Sequence, residues 1–225
     1  MSKKLTDVAL SDRVYAALRE DIIAGHYQPG EKITISSLAK DFGVSPTPVR
    51  EAIRLLLAQG GLDLTPNHSV TVVELTSEEY REIANIRLQL EGMAAAEAAV
   101  LRTDKQLANL IKLNKSLETA RSRGRYREVL EHNRHFHFAM TEMANMPVMA
   151  SVLENLWMRS GPLLNVLYQY GYRQPLDDHP HHGLIDAIQR KDSQGARKAI
   201  QRDIRLGTKV ILAHLEEVPP SRAAT

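Results

Sequence analysis

The sequence predicts a mainly α protein: a winged helix-turn-helix of three helices and a β-hairpin wing over residues 1–75, then an all-α helical bundle over residues 76–225. Three observations carry this. Apolar residues recur at helical spacing in three short runs between Ser11 and Gln59, separated by Pro29-Gly30 and Gly43. Two strand-like runs, "LDLT" and "VTVVEL", flank the turn "PNHS". From Thr76 onward, helical patterns follow one another without a strand signal.

The first helix is expected from about Ser11 to His26, where Val14, Ala17, Leu18 and Ile22 share one face. A second runs over Ser36–Phe42 with Leu38, Ala39 and Phe42 inward, and Gly43 permits a sharp change of direction. The third occupies "SPTPVREAIRLLLAQ" from Pro46 to about Gln59. Ser45 is placed as its N-cap, with a hydroxyl able to accept from a first-turn N–H. Pro46 at the first helical position loses nothing, because that N–H has no intrahelical partner, and Pro48 is tolerated in the same turn. The Thr47 hydroxyl and the remaining free N–H groups then project from a helix end of positive partial charge. Val49, Ile53 and Leu56 form the packing face, whereas Arg50 and Arg54 lie one turn apart on another. This arrangement suits a recognition helix entering a major groove N-terminus first.

The second part opens with a capping pattern, Thr76 or Ser77 ahead of Glu79, and is helical to about Leu101. Further helices are expected over Thr103–Arg123, Arg125–Ala144, Pro147–Tyr168, Asp178–Arg190 and Ser193–Glu217. "SRGRYR" is a solvated helix junction, and "QYGYRQPLDDHPHH" is one long irregular connection. Trp157 reads as core or dimer-interface packing.

Composition narrows the functional classes. The chain has no Cys, which excludes disulfides and thiolate metal ligands and fits a reducing compartment. "MSKKLTDVALSD" has no continuous apolar core for a signal peptide. The apolar runs "RLLLAQ" and "VILAHL" are far short of the roughly 20 residues that span a bilayer. A soluble, cytoplasmic protein without a membrane partner is expected. Net charge is only +2, and residues 1–75 hold 8 Lys/Arg against 9 Asp/Glu. DNA binding must therefore depend on where the cations sit rather than on their total.

Several polar residues interrupt the apolar stripes of the second part. Asn133 and His137 share the inward face of Val129, Leu130, Phe136, Met140 and Ala144. His181 falls with Leu184, Ile185 and Ile188, and Asp203 with Ala196, Ala199, Ile200 and Val210. Buried polar groups need partners, and four from three helices can meet around a metal or bond to one another without one. His132, His135, His179 and His182 are expected at the surface, with His179 or His182 able to substitute if the loop shifts the register. Arg87 lies in the stripe Ile83, Ile86, Leu90, Ala94. Its guanidinium wants a carboxylate, from Glu91 one turn on or from an acidic effector.

"ISSLAKDFGVSPTPVREAIRLLLAQGGLDLTPNHSVTVVELT" resembles the winged-helix domain of GntR-family transcription regulators, and the remainder resembles the all-helical effector (FCD) domain of their FadR-like subgroup. The resemblance spans about Asp12–Leu215 and implies that Thr47 and Arg50 contact DNA, with His68 at the wing tip. It departs from the family pattern at three places: Pro46 and Ser36 stand where Arg is frequent, and Ser69 where the wing usually has Gly. Fewer cationic contacts imply a modest salt dependence. The subgroup typically has a metal site of Asp and His four apart, then two His 22 apart. Here the spacings hold, but Asn133 replaces the Asp and Asp203 the second later His. The implied site binds weakly and favours Zn, Ni or Mn; the alternative is a metal-free hydrogen-bonded cluster lining an effector pocket made by Arg87, Asn133, His137 and His181. The expected protein is a homodimeric, ligand-responsive repressor that binds a double-stranded DNA operator and senses a small organic acid. A helical metalloenzyme with an accessory winged helix is the alternative. No H-E-x-x-H or evident general base supports it.

Overall fold

A computed structural model describes residues 2–169, 179–218 and 220. They form two compact units. The first gathers the residues up to Leu75 together with Trp157–Leu163; the second comprises Thr76–Leu156 and the described residues from Leu164 to Val218.

In the first unit, α1 (Ser2–Ile23), α2 (Ile35–Asp41) and α3 (Pro46–Ala58) carry a sheet of β1 (Lys32–Ile33), β2 (Leu62–Leu64) and β3 (Val70–Val72). The helix α1 begins well before Ser11, because "KKLTDVAL" contains neither Gly nor Pro to stop it. The sheet order is β1-β3-β2, antiparallel throughout, with Lys32 opposite Thr71 and Leu62 opposite Val72. The expected hairpin is thus widened by a third strand. At two residues, β1 is too short to show an alternation of its own. Gly43 takes φ +64 between α2 and α3, the left-handed conformation that turns the chain. Val49, Ala52, Ile53 and Leu56 of α3 are buried beside Leu18 and Ile22 of α1.

The second unit consists of α4 (Ser77–Leu101), α5 (Asp104–Ser122), α6 (Tyr126–Met143), the start of α7 (Pro147–Ser160), α8 (Leu164–Gln169), α9 (Pro180–Gln189) and α10 (Ser193–Glu217). Capping explains the sharp starts of α4 and α5. Thr76 and Glu79 exchange side-chain and backbone bonds, as do Thr103 and Gln106. Small residues on α4 (Ala94, Ala95, Ala98 and Ala99) are almost wholly buried, as are Ala196 and Ile200 of α10. A Cβ on Gly92 of α4 would meet the Gln201 amide of α10 at 2.9 Å, so the two helices approach closely there. Most of the connection "QYGYRQPLDDHPHH" lies outside the described residues.

The long helix expected over Pro147–Tyr168 is interrupted by a 3-10 turn at Gly161–Leu163. Pro162 removes a helical N–H, and the last residues of α7 with this turn belong to the first unit. Trp157 is 2% exposed there. A Cβ on Gly161 would come within 2.5 Å of the Ile23 carbonyl oxygen. Gly161→Ala should therefore destabilise the first unit by about 1–3 kcal/mol through overpacking. Urea unfolding followed by Trp157 fluorescence reads this; unchanged stability would show that the backbone yields freely.

Candidate functional site

At the start of α3 the first-turn groups face solvent: Ser45, Pro46, Thr47 and Arg50 are exposed, while Pro48 and Val49 are buried. Ser45 has N-cap geometry (φ −70, ψ 161), but its side chain makes no capping bond. An N-cap hydroxyl accepts from the second or third helical N–H, and Pro48 at the third position has none. The expected Ser45 cap is corrected on this point: its hydroxyl is left to other partners. Arg50 has no ion pair among the described residues. Arg54 is 3.0 Å from Glu51, an exposed pair that salt and competing anions readily displace. His68 sits at the tip of the β2–β3 turn with φ +57. That turn is closed by Thr65 N–H donating to the Ser69 carbonyl at 2.9 Å and by Ser69 N–H donating to the Thr65 hydroxyl at 3.2 Å.

The second unit buries a connected polar centre contributed by five helices. Arg87 Nε (α4) donates to Glu91 Oε1 at 2.7 Å, and both residues are buried. The other Glu91 oxygen lies 2.7 Å from His137 Nδ1 (α6). His137 Nε2 in turn faces Asp203 Oδ2 (α10) at 3.2 Å. His181 (α9) is fully buried, with Nδ1 3.1 Å from Asn114 Oδ1 (α5) and Nε2 3.9 Å from Asp203 Oδ1. Phe136 stacks on the His181 ring at 3.7 Å and 11°.

These contacts bias each group towards one protonation state. Burial opposes ionisation of Glu91, but Arg87 and His137 outweigh it and hold its pKa at about 2. Burial likewise disfavours a charged His137, yet Glu91 and Asp203 together raise its pKa to about 9. Asp203 overcomes its own burial through His137 and His181 and stays ionised well below the usual range. Burial lowers the pKa of His181 well below 6.5, leaving it neutral. The Asn114 amide donates to Glu118 at 2.8 Å, so its oxygen accepts from His181 Nδ1–H. The Nε2 of His181 is then a bare lone pair. It is buried and without a hydrogen-bond partner, and it faces a carboxylate that is also only an acceptor. Two acceptors turned towards each other leave room for a cation or a donor. One ligand atom each from His137, His181 and Asp203 lies within 4.8 Å of the others, so this set could hold a metal ion.

Three of the four expected metal residues are thus brought together. Asn133 lies half-buried one turn before His137 on α6, without a hydrogen bond to the cluster among the described residues. Arg87 is paired with Glu91, the first of its two expected partners. His179 is corrected: it is buried, not at the surface, because it caps α9 by accepting from the His181 N–H at 3.3 Å. Asn114 escaped the sequence reading, although it interrupts the stripe Leu107, Leu110, Leu117 in the way Asn133 interrupts that of α6.

Residues 10–72 match the family model described as "Bacterial regulatory proteins, gntR family", and residues 82–206 match that of the FCD domain. The HTH-type transcriptional regulator McbR of Escherichia coli (strain K12) is 34% identical over 88% of this chain and 90% of its own length. The chain belongs to the GntR family, in the branch with an FCD domain. A solved structure, "E. coli McbR/YncC", superposes on this regulator with a TM-score of 0.85 at 31% identity, covering 91% of this chain and 98% of its own. The gluconate operon transcriptional repressor of Bacillus licheniformis is 26% identical over 89% of the chain and 84% of its own length. The regulator is a DNA-binding transcription factor rather than an enzyme, which removes the metalloenzyme alternative. No helix among the described residues is long and apolar enough to cross a membrane.

The raised His137 pKa has a consequence for the metal-free regulator. Its contribution to stability is fully present below pH 6.5, the ordinary value, and is lost as pH rises through about 9. Unfolding free energy of chelator-treated protein should fall between those pH values. A flat profile would mean that His137 stays neutral.

Proposed function

We propose that this regulator is a homodimeric repressor whose buried centre binds a divalent metal and, beside it, a small carboxylate effector that releases the operator. The bare Nε2 of His181 facing Asp203 carries the proposal. His137, His181 and Asp203 would hold the ion, with the Asn133 amide oxygen as the fourth ligand. Nitrogen and oxygen ligands without thiolate suit Zn, Ni or Mn. The metal would supply a Lewis-acidic anchor for a carboxylate. The chain's own groups orient the ligands: Glu91 and Asn114 take the two Nδ1–H protons and point each Nε2 inward, and Phe136 fixes the His181 ring plane. Arg87, a buried guanidinium beside this centre, supplies the second cationic contact of the effector pocket. A relative named for repressing a gluconate operon supports this choice, since gluconate is a small carboxylate.

On the DNA side, Thr47, Arg50 and Arg54 of α3, the uncapped Ser45 hydroxyl and His68 of the wing are assigned to the operator. Paired reading heads match two-fold half-sites. A dimer face is supported by Ile86, Met93 and Val100, exposed apolar residues seven apart on α4. The first unit is thereby the DNA-binding domain and the second the effector and dimerisation domain. Effector and operator affinities must then be reciprocally linked.

Two measurements test these assignments. In gel shifts against the regulator's own upstream region, Arg50→Ala should weaken binding by about 1–3 kcal/mol, roughly five- to 150-fold, without altering the circular dichroism spectrum. Undiminished binding would remove α3 as the reading helix. Elemental analysis after dialysis against Zn, Ni or Mn should find one ion per chain, lost in His181→Ala. Asn114→Leu should weaken metal affinity by about 10- to 100-fold. Equal metal content in wild type and His181→Ala would place the ion elsewhere.

A further inference from the structure

A groove of about 330 Å³ opens between α5 and α6, on the outer side of the second unit. Lys112, Lys115, Ser116 and Thr119 of α5, with Arg123 at its C-cap, line one wall, and His132 of α6 lies on the other. Their spacing on α5 places them on one helical stripe, whereas Asn114 and Leu117 of the same helix are buried. The small Ala120 forms the floor, above a buried patch with Leu117 and Val129.

The charge in this groove is unbalanced. Lys112, Lys115 and Arg123 have no ion pair among the described residues. Like charges three or four residues apart weaken a helix by a few tenths of a kcal/mol, so helix formation does not explain the two lysines. The single acidic lining residue, Glu128, is taken by Arg125 at 3.2 Å. A second, independent feature is His132. Its Nδ1 is shielded from water and bonded to nothing, a state that is costly for a polar atom unless a partner arrives. Three unpaired cations, the Ser116 and Thr119 hydroxyls and the His132 side chain line a space large enough for a small ligand. The Thr119 hydroxyl donates to the Lys115 carbonyl at 2.8 Å, which leaves its oxygen lone pairs while Ser116 can donate.

We infer that this groove is a second ligand site of the regulator, distinct from the buried centre, and that it takes a small phosphate-bearing anion. Lys112, Lys115 and Arg123 neutralise the phosphoryl oxygens, with Arg123 able to chelate two of them. Ser116 donates to the oxygens nearest the floor, and the His132 ring closes the opposite wall. Lysines on flexible stems suit an anion whose charge is spread over several oxygens rather than one planar carboxylate. The site thus differs in chemistry from the carboxylate pocket proposed inside the bundle.

Inorganic pyrophosphate is a suitable probe. Calorimetric titration of the full chain should show saturable binding at one site per chain that weakens steeply with salt. The double variant Lys115→Ala/Arg123→Ala should lose at least tenfold in affinity, while Lys105→Ala/Lys198→Ala, which removes the same charge from α5 and α10 outside the groove, should bind as the wild type does. Circular dichroism establishes that both variants fold. The inference is overturned by absence of saturable binding, by equal losses in the two double variants, or by binding that vanishes when the protein is dialysed free of metal. The last result would put the anion on the inner centre.

Discussion

Glu91 is an ionised carboxylate with no solvent exposure, and the second unit is organised around satisfying it. One oxygen receives the Arg87 guanidinium from its own helix, and the other receives His137 from α6. His137 passes the requirement on to Asp203 of α10, and Asp203 faces His181 of α9. Removing any one partner leaves a buried charge uncompensated, which is far more costly than losing an apolar contact. The chain of ion pairs therefore specifies which helices must be neighbours. The surrounding alanines, leucines and isoleucines provide the bulk of the burial but could tolerate other registers more cheaply.

The last link in that chain is left incomplete. Asn114 and Phe136 hold His181 so that a lone pair points at a carboxylate, an arrangement that folding alone would not favour. If the proposed metal supplies that partner, the centre is a natural place for a ligand to act on a helical bundle. Against the subgroup pattern that the sequence resembles, Asn133 stands in place of an Asp, and Asp203 supplies a carboxylate from α10 instead. The charge of the proposed donor set is kept while its source moves to another helix.

The reading head is governed by a different constraint, the paucity of cations. With no excess positive charge in the first 75 residues, the operator affinity proposed here rests on the few groups at the start of α3 and the wing tip. Two prolines prepare that helix end. Pro46 starts the helix at once, and Pro48 withholds the N–H that would otherwise engage the Ser45 hydroxyl. The same side chain that would have capped a typical helix is thereby free to face a phosphate or base edge.

Most helix positions, the capping box at the start of α4, the wing and the inward placement of His137, His181 and Asp203 were determined by the sequence itself, because each depends on local spacing and turn chemistry. The sequence could say which face of a helix is buried, not which helices those faces would meet. Pairings 46 residues apart (Glu91 with His137) and 67 apart (Asn114 with His181) have no local signature. The same holds for β1, whose two residues gain strand geometry only from β3, and for the Trp157–Leu163 segment that joins the first unit. His179 looked like one more surface histidine until its ring was required at the helix start. Only the tertiary structure decided these, since they arise from buried charges and unpaired backbone groups finding partners across the fold.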